Sequence, residues 1–504
     1  MEIAHTVERL QRLIDDDPAQ AIEEALQLSG NIEVELMKAS VLIDAGALVK
    51  DYDAVLKGVE IFRNSIAFYE NNPELKYNLA NGLHALAFST RYKGFSWYQE
   101  TEDYRLEARL YFYLAANTFN ASSDTKSQAF TNLGNILWSS YRWVEAYDFY
   151  TLALIENPRN GVASSGALKM LKYALQQDLG NYELLVTEIE YLATHVRDNL
   201  ETIYAYAGGF GLKGIVDEIK EIRSGNKKKR NEKDEEYENF VVSNNLTLSP
   251  TIHSHEHESK YWDDINIPSI GVDISGNSLV PEIFAMINIL KSDYLLSRQL
   301  FFNASNRLFK ETGNYNDTLN YACYGVNESA LALAQRSALD ILDKIAVATL
   351  SYLDIGGAKR TSFKEAWFKE AKEKDKAREF KPKILQEIEK GNTALLALTE
   401  VSRDLSSKAG YLFDKQASRN SSTHRFTVLH DLIENHSSKT GCLEHFDYDM
   451  FMTESLRTLK LARSSVIYFV QMVVFRERGL EEQGDGILMP LIVPSHKNIR
   501  DFDK

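Results

Sequence analysis

Residues 127–160, SQAFTNLGNILWSSYRWVEAYDFYTLALIENPRN, decide the fold of the N-terminal part of the chain. Apolar and small side chains recur in this stretch at the three- and four-residue spacing of two successive helices. The residues expected to pack against neighbouring helices are Leu133, Gly134, Leu137, Ala146, Tyr150 and Ala153. Pro158 follows the second helix, because proline cannot continue a helix without losing a hydrogen bond. The stretch therefore predicts a helical hairpin.

Looser copies of this hairpin occur on its N-terminal side. Leu79 and Leu83 repeat the spacing of the first helix, and Phe112 repeats that of the second after an insertion at 91–104. This pattern resembles the tetratricopeptide repeat (TPR), in which a helix pair is stable only when it is stacked on its neighbours. We therefore expect a TPR-like α-solenoid over residues 1–223, with roughly four to six helical hairpins.

A charged segment separates this region from the rest of the chain. The sequence SGNKKKRNEKDEEYE at 224–238 has almost no apolar side chain and mixes both signs of charge, so it cannot offset the entropy cost of ordering. It predicts a charged linker at 224–240 ahead of a second domain at 241–504. The helical pattern returns in that domain, so the fold class is predicted to be all-α. Helices are expected around 281–302, 328–353, 363–367, 392–413, 425–434 and 456–478, after an extended segment at 239–250.

The composition is that of a cytoplasmic globular protein. The 504 residues carry a net charge of -15, and the mean hydropathy is -0.32. The charged start of the chain lacks the apolar core of a signal peptide, and the apolar run at 466–475 is shorter than a membrane span of about 20 residues, so it predicts a buried helix. Two cysteines cannot build a disulfide framework. The net negative charge argues against a protein that binds nucleic acid over most of its surface. It permits a local basic site.

Five stretches of the second domain occur in a recognisable order. They are NLTLSP at 245–250, WDDINIPSI at 262–270, KSDYLLSRQLFF at 291–302, ALAQRSALDILDKIAVA at 332–348 and SRNSSTHRFTVLHD at 418–431. The last contains Arg419, the polar Asn420 and, five positions after the arginine, His424. Together these stretches resemble a bacterial HEPN family of RNA-cleaving proteins that is commonly fused to TPR arrays. The resemblance implies a HEPN-type helical bundle with its motif at 419–424.

The resemblance also implies metal-independent cleavage of RNA, with Arg419, Asn420 and His424 as catalytic residues and no cofactor or metal. A histidine, whose unperturbed pKa is about 6.5, can take the proton of a ribose 2′-hydroxyl at neutral pH. The guanidinium of arginine stays charged and grips phosphate oxygens, and the asparagine is expected to orient the phosphate or the imidazole. RNA is required because DNA lacks the 2′-hydroxyl.

The sequence offers a second Arg–His pair and does not determine the geometry of the motif. Arg425 precedes His430 by the same five positions, but Phe426 stands where the family has a polar residue, so the first motif is preferred. Residues five apart point about 140° from each other in a regular helix. Either the helix begins inside the motif, or two copies of the site combine across a dimer. The resemblance implies the second arrangement and a homodimer through this domain, with the run at 466–475 as a candidate interface, although a core helix is favoured.

Residues 359–383 are basic in an otherwise acidic chain. They hold ten basic and five acidic side chains. Positive charge near the motif would steer RNA phosphates toward it. The residues predicted to bind RNA are Lys359, Arg360, Lys364, Lys381, Lys383 and Arg425. A solvated helix with mixed charge pairs explains the same pattern.

Asparagines occupy matching positions in two of the repeats. Asn78 and Asn81 correspond to Asn132 and Asn135. In TPR proteins that bind peptides, asparagines on the first helix line the concave groove and hold an extended backbone. The resemblance therefore implies a groove for a protein or peptide partner. Asparagine also simply tolerates an exposed concave surface.

The leading hypothesis is a metal-independent RNA endonuclease whose TPR array senses a signal or recruits a partner. Such fusions resemble effectors of bacterial defence or toxin systems, and no membrane partner is expected. The first alternative is a non-catalytic scaffold that binds a protein or peptide. The second is a toxin with another target, or one neutralised when a partner transfers a nucleotide to a tyrosine near the motif, such as Tyr411.

Overall fold

The computed structural model confirms the all-α class. The described residues are 2–226, 236–250, 262–273, 280–357, 361–369, 379–413, 426–432, 441–483 and 488–491. Within them the chain forms eighteen helices and two small sheets. The strands have only two to five residues each, so helices provide nearly all of the regular structure.

The chain divides into two compact units whose segments alternate along the sequence. The first unit comprises residues 1–172, 186–227 and 400–416, and the second comprises residues 173–185, 228–399 and 417–504. The change at 227–228 falls within the predicted linker at 224–240. The segment 400–416 comes from the second half of the sequence but belongs to the first unit.

Helices fill the described chain up to residue 219, as the apolar periodicity predicted. They are α1 (Glu2–Asp16), α2 (Pro18–Gln27), α3 (Ile32–Val49), α4 (Tyr52–Ile66), α5 (Pro73–Ser89), α6 (Phe95–Glu100), α7 (Glu102–Asn117), α8 (Ser123–Trp138), α9 (Trp143–Glu156), α10 (Gly161–Gln176), α11 (Tyr182–Asp198) and α12 (Leu200–Ile219). The start of α5 shows why they begin where they do. Asn72 accepts a hydrogen bond from the Leu75 backbone at 2.9 Å, and Pro73 occupies the first helical position.

The helices of the first unit pack in successive pairs. The pairs are α1 with α2, α3 with α4, α5 with α7, and α8 with α9. The first helices of these pairs also contact one another, α1 with α3, α3 with α5, and α5 with α8. Stacking of this kind buries the apolar face that an isolated pair would expose. The helical character of residues 1–223 agrees with the expectation, while their assignment as TPRs stays a prediction.

The quoted repeat unit forms the predicted hairpin of α8 and α9. Tyr150 is buried on α9 and fills the space beside two glycines. A Cβ atom at Gly134 would lie 2.6 Å from the Tyr150 ring, and one at Gly166 would lie 2.5 Å from it. Contacts this short are not tolerated, so both positions require glycine. The small residue expected in the first helix is thereby explained.

The second unit is built on three long helices. The helices after residue 235 are α13 (Glu236–Ser243), α14 (Glu282–Ser305), α15 (Val326–Tyr352), α16 (Pro382–Glu389), α17 (Thr393–Ser406) and α18 (Tyr448–Gln483). Each of α14, α15 and α18 contacts the other two. Residues 466–474 of α18 are all buried, so this run is a core helix, as favoured, and not a dimer interface. In the described residues α18 alone is apolar and long enough to cross a membrane, and 89% of its 18-residue apolar window is buried.

Two small sheets complete the second unit. Strands β1 (Ile270–Asp273) and β5 (Leu488–Leu491) pair antiparallel. Strand β3 (Phe426–His430) lies between β2 (Ala322–Cys323), which is antiparallel to it, and β4 (Leu443–Asp447), which is parallel. Each residue of β3 has a partner on β4, from Phe426 opposite Leu443 to His430 opposite Asp447.

Three of the expected segments differ from the structure. The helix expected at 425–434 is wrong in its described part, because 426–430 is strand β3. Its sequence FTVLH holds β-branched and aromatic residues, which favour strands, and it is short for a helix. Residues 363–367 form turns and not a helix, and the extended segment expected at 239–250 begins inside α13.

Candidate functional site

The predicted catalytic motif directly precedes strand β3. Arg419, Asn420, His424 and Arg425 lie outside the described residues, and the described chain resumes at Phe426. Phe426 follows His424 by two residues in the sequence.

His430, at the end of β3, is completely buried. Its Nδ1 lies 2.9 Å from the Asn320 carbonyl oxygen, and its Nε2 lies 2.8 Å from Nδ1 of His445 on β4. A carbonyl can only accept, so Nδ1 of His430 donates to Asn320, and Nε2 forms a hydrogen bond with Nδ1 of His445. A buried imidazole with both nitrogens engaged does not reach a ribose hydroxyl. The structure therefore disfavours the alternative pair of Arg425 and His430 as catalytic residues.

The loop at 306–321 is anchored to β3 and presents apolar side chains to solvent. The Asn320 carbonyl binds His430, and the Tyr321 carbonyl accepts a backbone hydrogen bond at 3.1 Å from the residue after β3. Leu319 and Tyr321 have φ angles of 56° and 59°. Non-glycine residues adopt this left-handed conformation only at an energetic cost. Both side chains are exposed.

A pocket of about 290 Å³ lies between β3 and the N-terminal turns of α15. Phe426, Thr427 and Leu429 of β3 line this pocket, whereas His430 is not among its lining residues. The polar and aromatic residues that line it include Cys323, Tyr324, Glu328, Arg336, Phe426 and Thr427. We call this cavity the Glu328 pocket.

Two polar atoms of the Glu328 pocket have unused hydrogen-bonding capacity. The Glu328 side chain is 7% exposed, and its Oε1 accepts no hydrogen bond from the described residues. Nη2 of Arg307 lies 3.1 Å from this oxygen, and the two groups form an ion pair. The angles of this contact do not meet those of a hydrogen bond. The Arg307 side chain is 63% exposed. The Oγ1 atom of Thr427 is buried and has no hydrogen-bond partner among the described residues. Polar atoms in this condition are rare in folded proteins, and a bound water, ion or ligand is one way in which they become satisfied.

The thiol in the pocket is not an activated nucleophile. Burial, together with a hydrogen bond to the Asp431 carboxylate, raises the pKa of Cys323 to about 11. The thiol is therefore protonated at neutral pH, whereas the thiolate is the reactive form. The part of the chain that the structure describes holds no group of three His, Cys, Asp or Glu side chains arranged to bind a metal ion.

A comparison with known families identifies the region around this pocket. Residues 274–477 match the LA2681-like HEPN family. This match, which we call the HEPN region, covers less than half of the chain and contains the motif at 419–424 and the Glu328 pocket. No curated protein and no solved structure matches the chain. The HEPN part of the predicted resemblance is supported, and the match does not extend to the N-terminal helices.

Part of the HEPN region belongs to the first unit, where it meets three buried arginines. Helix α17 places Glu400 and Asp404 one turn apart. Oε2 of Glu400 lies 2.8 Å from Nη1 of Arg105 and 3.1 Å from Nη1 of Arg109. Asp404 pairs with Nε of Arg109 at 3.0 Å and also with Arg142. Both carboxylates are thus shared between two guanidinium groups.

These groups form a closed set of charges, which we call the arginine cluster: Arg105, Arg109, Arg142, Glu145, Glu400 and Asp404. All six side chains are buried, and three positive charges balance three negative ones. Burial alone would raise the pKa of Glu400, but the guanidinium groups of Arg105 and Arg109 lower it to about 2. Burial alone would lower the pKa of Arg142, but Glu145 and Asp404 raise it well above its usual value. Burial raises the pKa of Asp404 despite the opposing effect of Arg109 and Arg142. Glu400 is therefore ionised at neutral pH.

Tyr411 is part of the surroundings of this cluster. Its hydroxyl accepts a hydrogen bond from Nη2 of Arg142 at 3.0 Å and donates one to Oε1 of Glu145 at 3.0 Å. The side chain is buried against both groups. A modifying partner cannot reach such a hydroxyl in the folded chain, so the structure disfavours Tyr411 as the tyrosine modified in the toxin alternative.

The predicted basic stretch is only partly described. Lys359 and Arg360 lie outside the described residues, whereas Lys364, Lys381 and Lys383 are within them. Nζ of Lys383 lies 3.0 Å from the Asp354 carboxylate, and Lys369 pairs with Glu379 at 2.7 Å. These ion pairs fit the interpretation of mixed charge pairs. A role for this stretch in RNA binding stays a prediction.

The asparagines of the repeats form a connected row. Nδ2 of Asn132 donates to Oδ1 of Asn81 at 2.9 Å, and Nδ2 of Asn135 donates to Oδ1 of Asn132 at 3.2 Å. The Tyr150 hydroxyl donates to Oδ1 of Asn135 at 2.9 Å. Asn78 is half-buried on α5. The structure thus brings three of the four predicted groove residues together, on the first helices of two neighbouring pairs.

Sequence reasoning missed the arginine cluster and the Glu328 pocket. Arg105 and Arg109 lie on the same face of α7 as the buried Phe112, a spacing that signals buried arginines in need of acidic partners. One partner, Asp404, lies 295 residues after Arg109, so no local pattern reveals it. The pocket depends on β2 and β3, which the sequence did not predict.

Proposed function

We propose that this protein is an RNA endonuclease whose catalytic residues lie in the HEPN region. The observation that carries the proposal is the HEPN match at 274–477, within which Arg419, Asn420 and His424 lie. HEPN domains are generally ribonucleases. The Glu328 pocket at the start of β3 supplies a concave surface beside this motif in the chain.

The proposed chemistry uses the RNA as its own nucleophile. His424 takes the proton of a ribose 2′-hydroxyl, and the oxygen attacks the adjacent phosphorus. The bond from phosphorus to the 5′-oxygen breaks, the leaving oxygen takes up a proton, and the products are a 2′,3′-cyclic phosphate and a 5′-hydroxyl end. Arg419 grips the phosphate oxygens as negative charge develops on them, and Asn420 orients the phosphate. No step requires a metal ion.

A homodimer through the HEPN region is part of the proposal. HEPN domains typically bind RNA and dimerise. In a regular helix His424 would point about 140° away from Arg419, and a second copy of the chain could complete the site. The buried run at 466–474 is not available for this contact, so another surface of the HEPN region must form it.

The first unit is proposed to act as a TPR-like sensor that restrains or recruits the nuclease. The support is the stacking of first helices and the row of Asn81, Asn132 and Asn135 on α5 and α8. A protein or peptide is the expected partner of this row. A defence or toxin role in a bacterial cytoplasm follows from the resemblance, because uncontrolled RNA cleavage halts growth.

Cleavage of total cellular RNA tests the proposal. Wild-type protein and the His424→Ala variant are incubated with RNA in the presence of EDTA, and His257→Ala, which lies outside the HEPN match, serves as the matched control. We expect cleavage by wild type and His257→Ala and a loss of at least a hundredfold in His424→Ala, since general base catalysis contributes about 10²–10⁴-fold. Equal cleavage by all three would contradict the assignment of His424.

A non-catalytic scaffold is the second candidate, and the asparagine row favours it because amide side chains can hold a peptide backbone. A scaffold would cleave no RNA in this experiment, as a monomer or a dimer. Growth of cells that express the wild type or His424→Ala separates the two candidates further. A nuclease toxin arrests growth only when His424 is present, whereas a scaffold has the same effect in both forms.

A further inference from the structure

We propose that the Glu328 pocket binds one unpaired RNA base, with guanine preferred. This inference rests on the proposed function and adds a base preference to it. It is carried by the juxtaposition of Glu328, Thr427 and Phe426 in one cavity at the start of β3.

The polar atoms of the pocket complement the Watson–Crick edge of guanine. That edge presents two adjacent donors, N1–H and the N2 amino group, beside the O6 carbonyl. The carboxylate of Glu328 can accept both donors side by side, and the Thr427 hydroxyl can donate to the carbonyl. The Oε1 atom of Glu328 and the Oγ1 atom of Thr427 lack hydrogen-bond partners in the described chain, so guanine would satisfy both. Adenine, cytosine and uracil each present only one donor group on this edge.

The size and walls of the pocket fit a single stacked base. A volume of about 290 Å³ is at the lower end for small-molecule sites and suits one nucleoside. Phe426 lines the pocket and is 71% exposed, and Tyr324 beside it is also exposed. Single-stranded RNA is recognised by stacking its splayed bases on such aromatic rings. Tyr321 is also exposed and offers a second stacking surface nearby in the chain.

The charges of the pocket select a base and not a phosphate. The carboxylate of Glu328 inside the cavity repels phosphate oxygens. The positively charged side chains lie at the exposed edge of the pocket. Arg336 is half-exposed, and its Nε lies 3.9 Å from Oδ2 of Asp340. Arg307 is exposed as well. The arrangement therefore places base recognition inside and backbone contacts outside, which is the division found in sequence-selective nucleic-acid sites.

Binding of the four nucleoside 5′-monophosphates to the full-length chain tests the pocket without reference to cleavage. We expect GMP to bind wild type at least tenfold more tightly than AMP, CMP or UMP, as measured by calorimetry. Glu328→Gln should lose this preference, because the amide offers one acceptor and turns a donor toward the base. The matched control, Glu282→Gln, changes an exposed glutamate at the start of α14 and should keep the preference. Thr427→Val should weaken GMP binding severalfold.

Mapping of the RNA cleavage sites provides the second readout. Wild type should cut near guanine with a preference of roughly ten- to a hundredfold, and Glu328→Gln should cut without it. GMP selectivity without RNA cleavage would support the pocket and contradict the proposed nuclease. Cleavage without base preference, together with equal binding of all four nucleotides, would overturn the pocket and leave the nuclease intact. Unchanged GMP selectivity in Glu328→Gln would also overturn it.

Discussion

The arginine cluster and the Glu328 pocket are both built from buried carboxylates and arginines, but they differ in how these groups are partnered. In the cluster, Glu400 and Asp404 each face two guanidinium groups that are fully buried. In the pocket, Glu328 faces one guanidinium, that of Arg307, whose side chain is 63% exposed. The cluster leaves no charge unbalanced, whereas the pocket leaves a cavity beside a carboxylate.

This difference indicates that the charges of the cluster stabilise the fold, whereas those of the pocket are suited to binding a ligand. Buried ions are costly unless opposite charges surround them, and a charge-balanced set fixes the position of the segments that carry it. The cluster fixes α17 against α7 and the start of α9. A carboxylate with spare acceptor capacity and open space beside it instead gains a partner when a ligand arrives. The same residue types therefore serve two purposes, according to how completely they are paired.

The largest effect is expected from breaking the cluster. Asp404→Asn removes one negative charge and leaves Arg109 and Arg142 with insufficient compensation in a buried site. We expect a loss of about 3–5 kcal/mol in the free energy of unfolding, measured by urea denaturation of the full chain. Glu328→Gln, the matching change in the pocket, should cost less than about 1 kcal/mol. Equal losses at the two sites would remove the distinction between them.

The second effect concerns acid stability and is specific to the cluster. The pKa of Glu400 is lowered from its usual 4.5 to about 2 in the folded chain. The carboxylate therefore adds stability above pH 4.5, and this contribution is lost as the pH falls toward 2. We expect Glu400→Gln to abolish about 3 kcal/mol of this pH dependence, as measured by unfolding between pH 6 and pH 2. An acid profile identical to wild type would show that the arginines do not hold this carboxylate ionised.

The smallest effect is a difference in thiol reactivity, and it reports on the pocket. With a pKa of about 11, roughly one in a thousand Cys323 thiols is ionised at pH 8. Cys442 is exposed. We expect iodoacetamide to label Cys323 at least tenfold more slowly than Cys442, as followed by mass spectrometry. GMP should slow the labelling of Cys323 further and leave Cys442 unaffected. Labelling of Cys323 at the faster rate would contradict its burial and its bond to Asp431.

The sequence predicted those parts of the fold that local periodicity determines. The hairpin of α8 and α9 follows from the small residue at Gly134 and the aromatic Tyr150 that fills the space beside it. The helices α14, α15 and α18 follow from long apolar patterns, and Asn72 with Pro73 marks the start of α5. In each case the residues that determine the helix lie within one or two helical turns of each other.

The rest depends on contacts between distant residues. The strand β3 was predicted as helix because FTVLH is too short for a period to be read, and its pairing with β2 and β4 decides its conformation. Glu400 and Asp404 read as a polar helix face, and only their arginine partners in α7 and before α9 explain their burial. For the site, the motif at 419–424 follows from resemblance alone, and the pocket combines residues 323–336 with β3, which lies far from them in the sequence.

The position of Asp404 in the sequence has a consequence for synthesis of the chain. It pairs with Arg142, which precedes it by 262 residues. At about 5–20 residues per second, roughly 13–50 seconds pass between translation of the arginine and of its partner. During this interval the nascent N-terminal unit carries three arginines without two of their acidic partners. The first unit therefore completes its core only after most of the polypeptide has been synthesised.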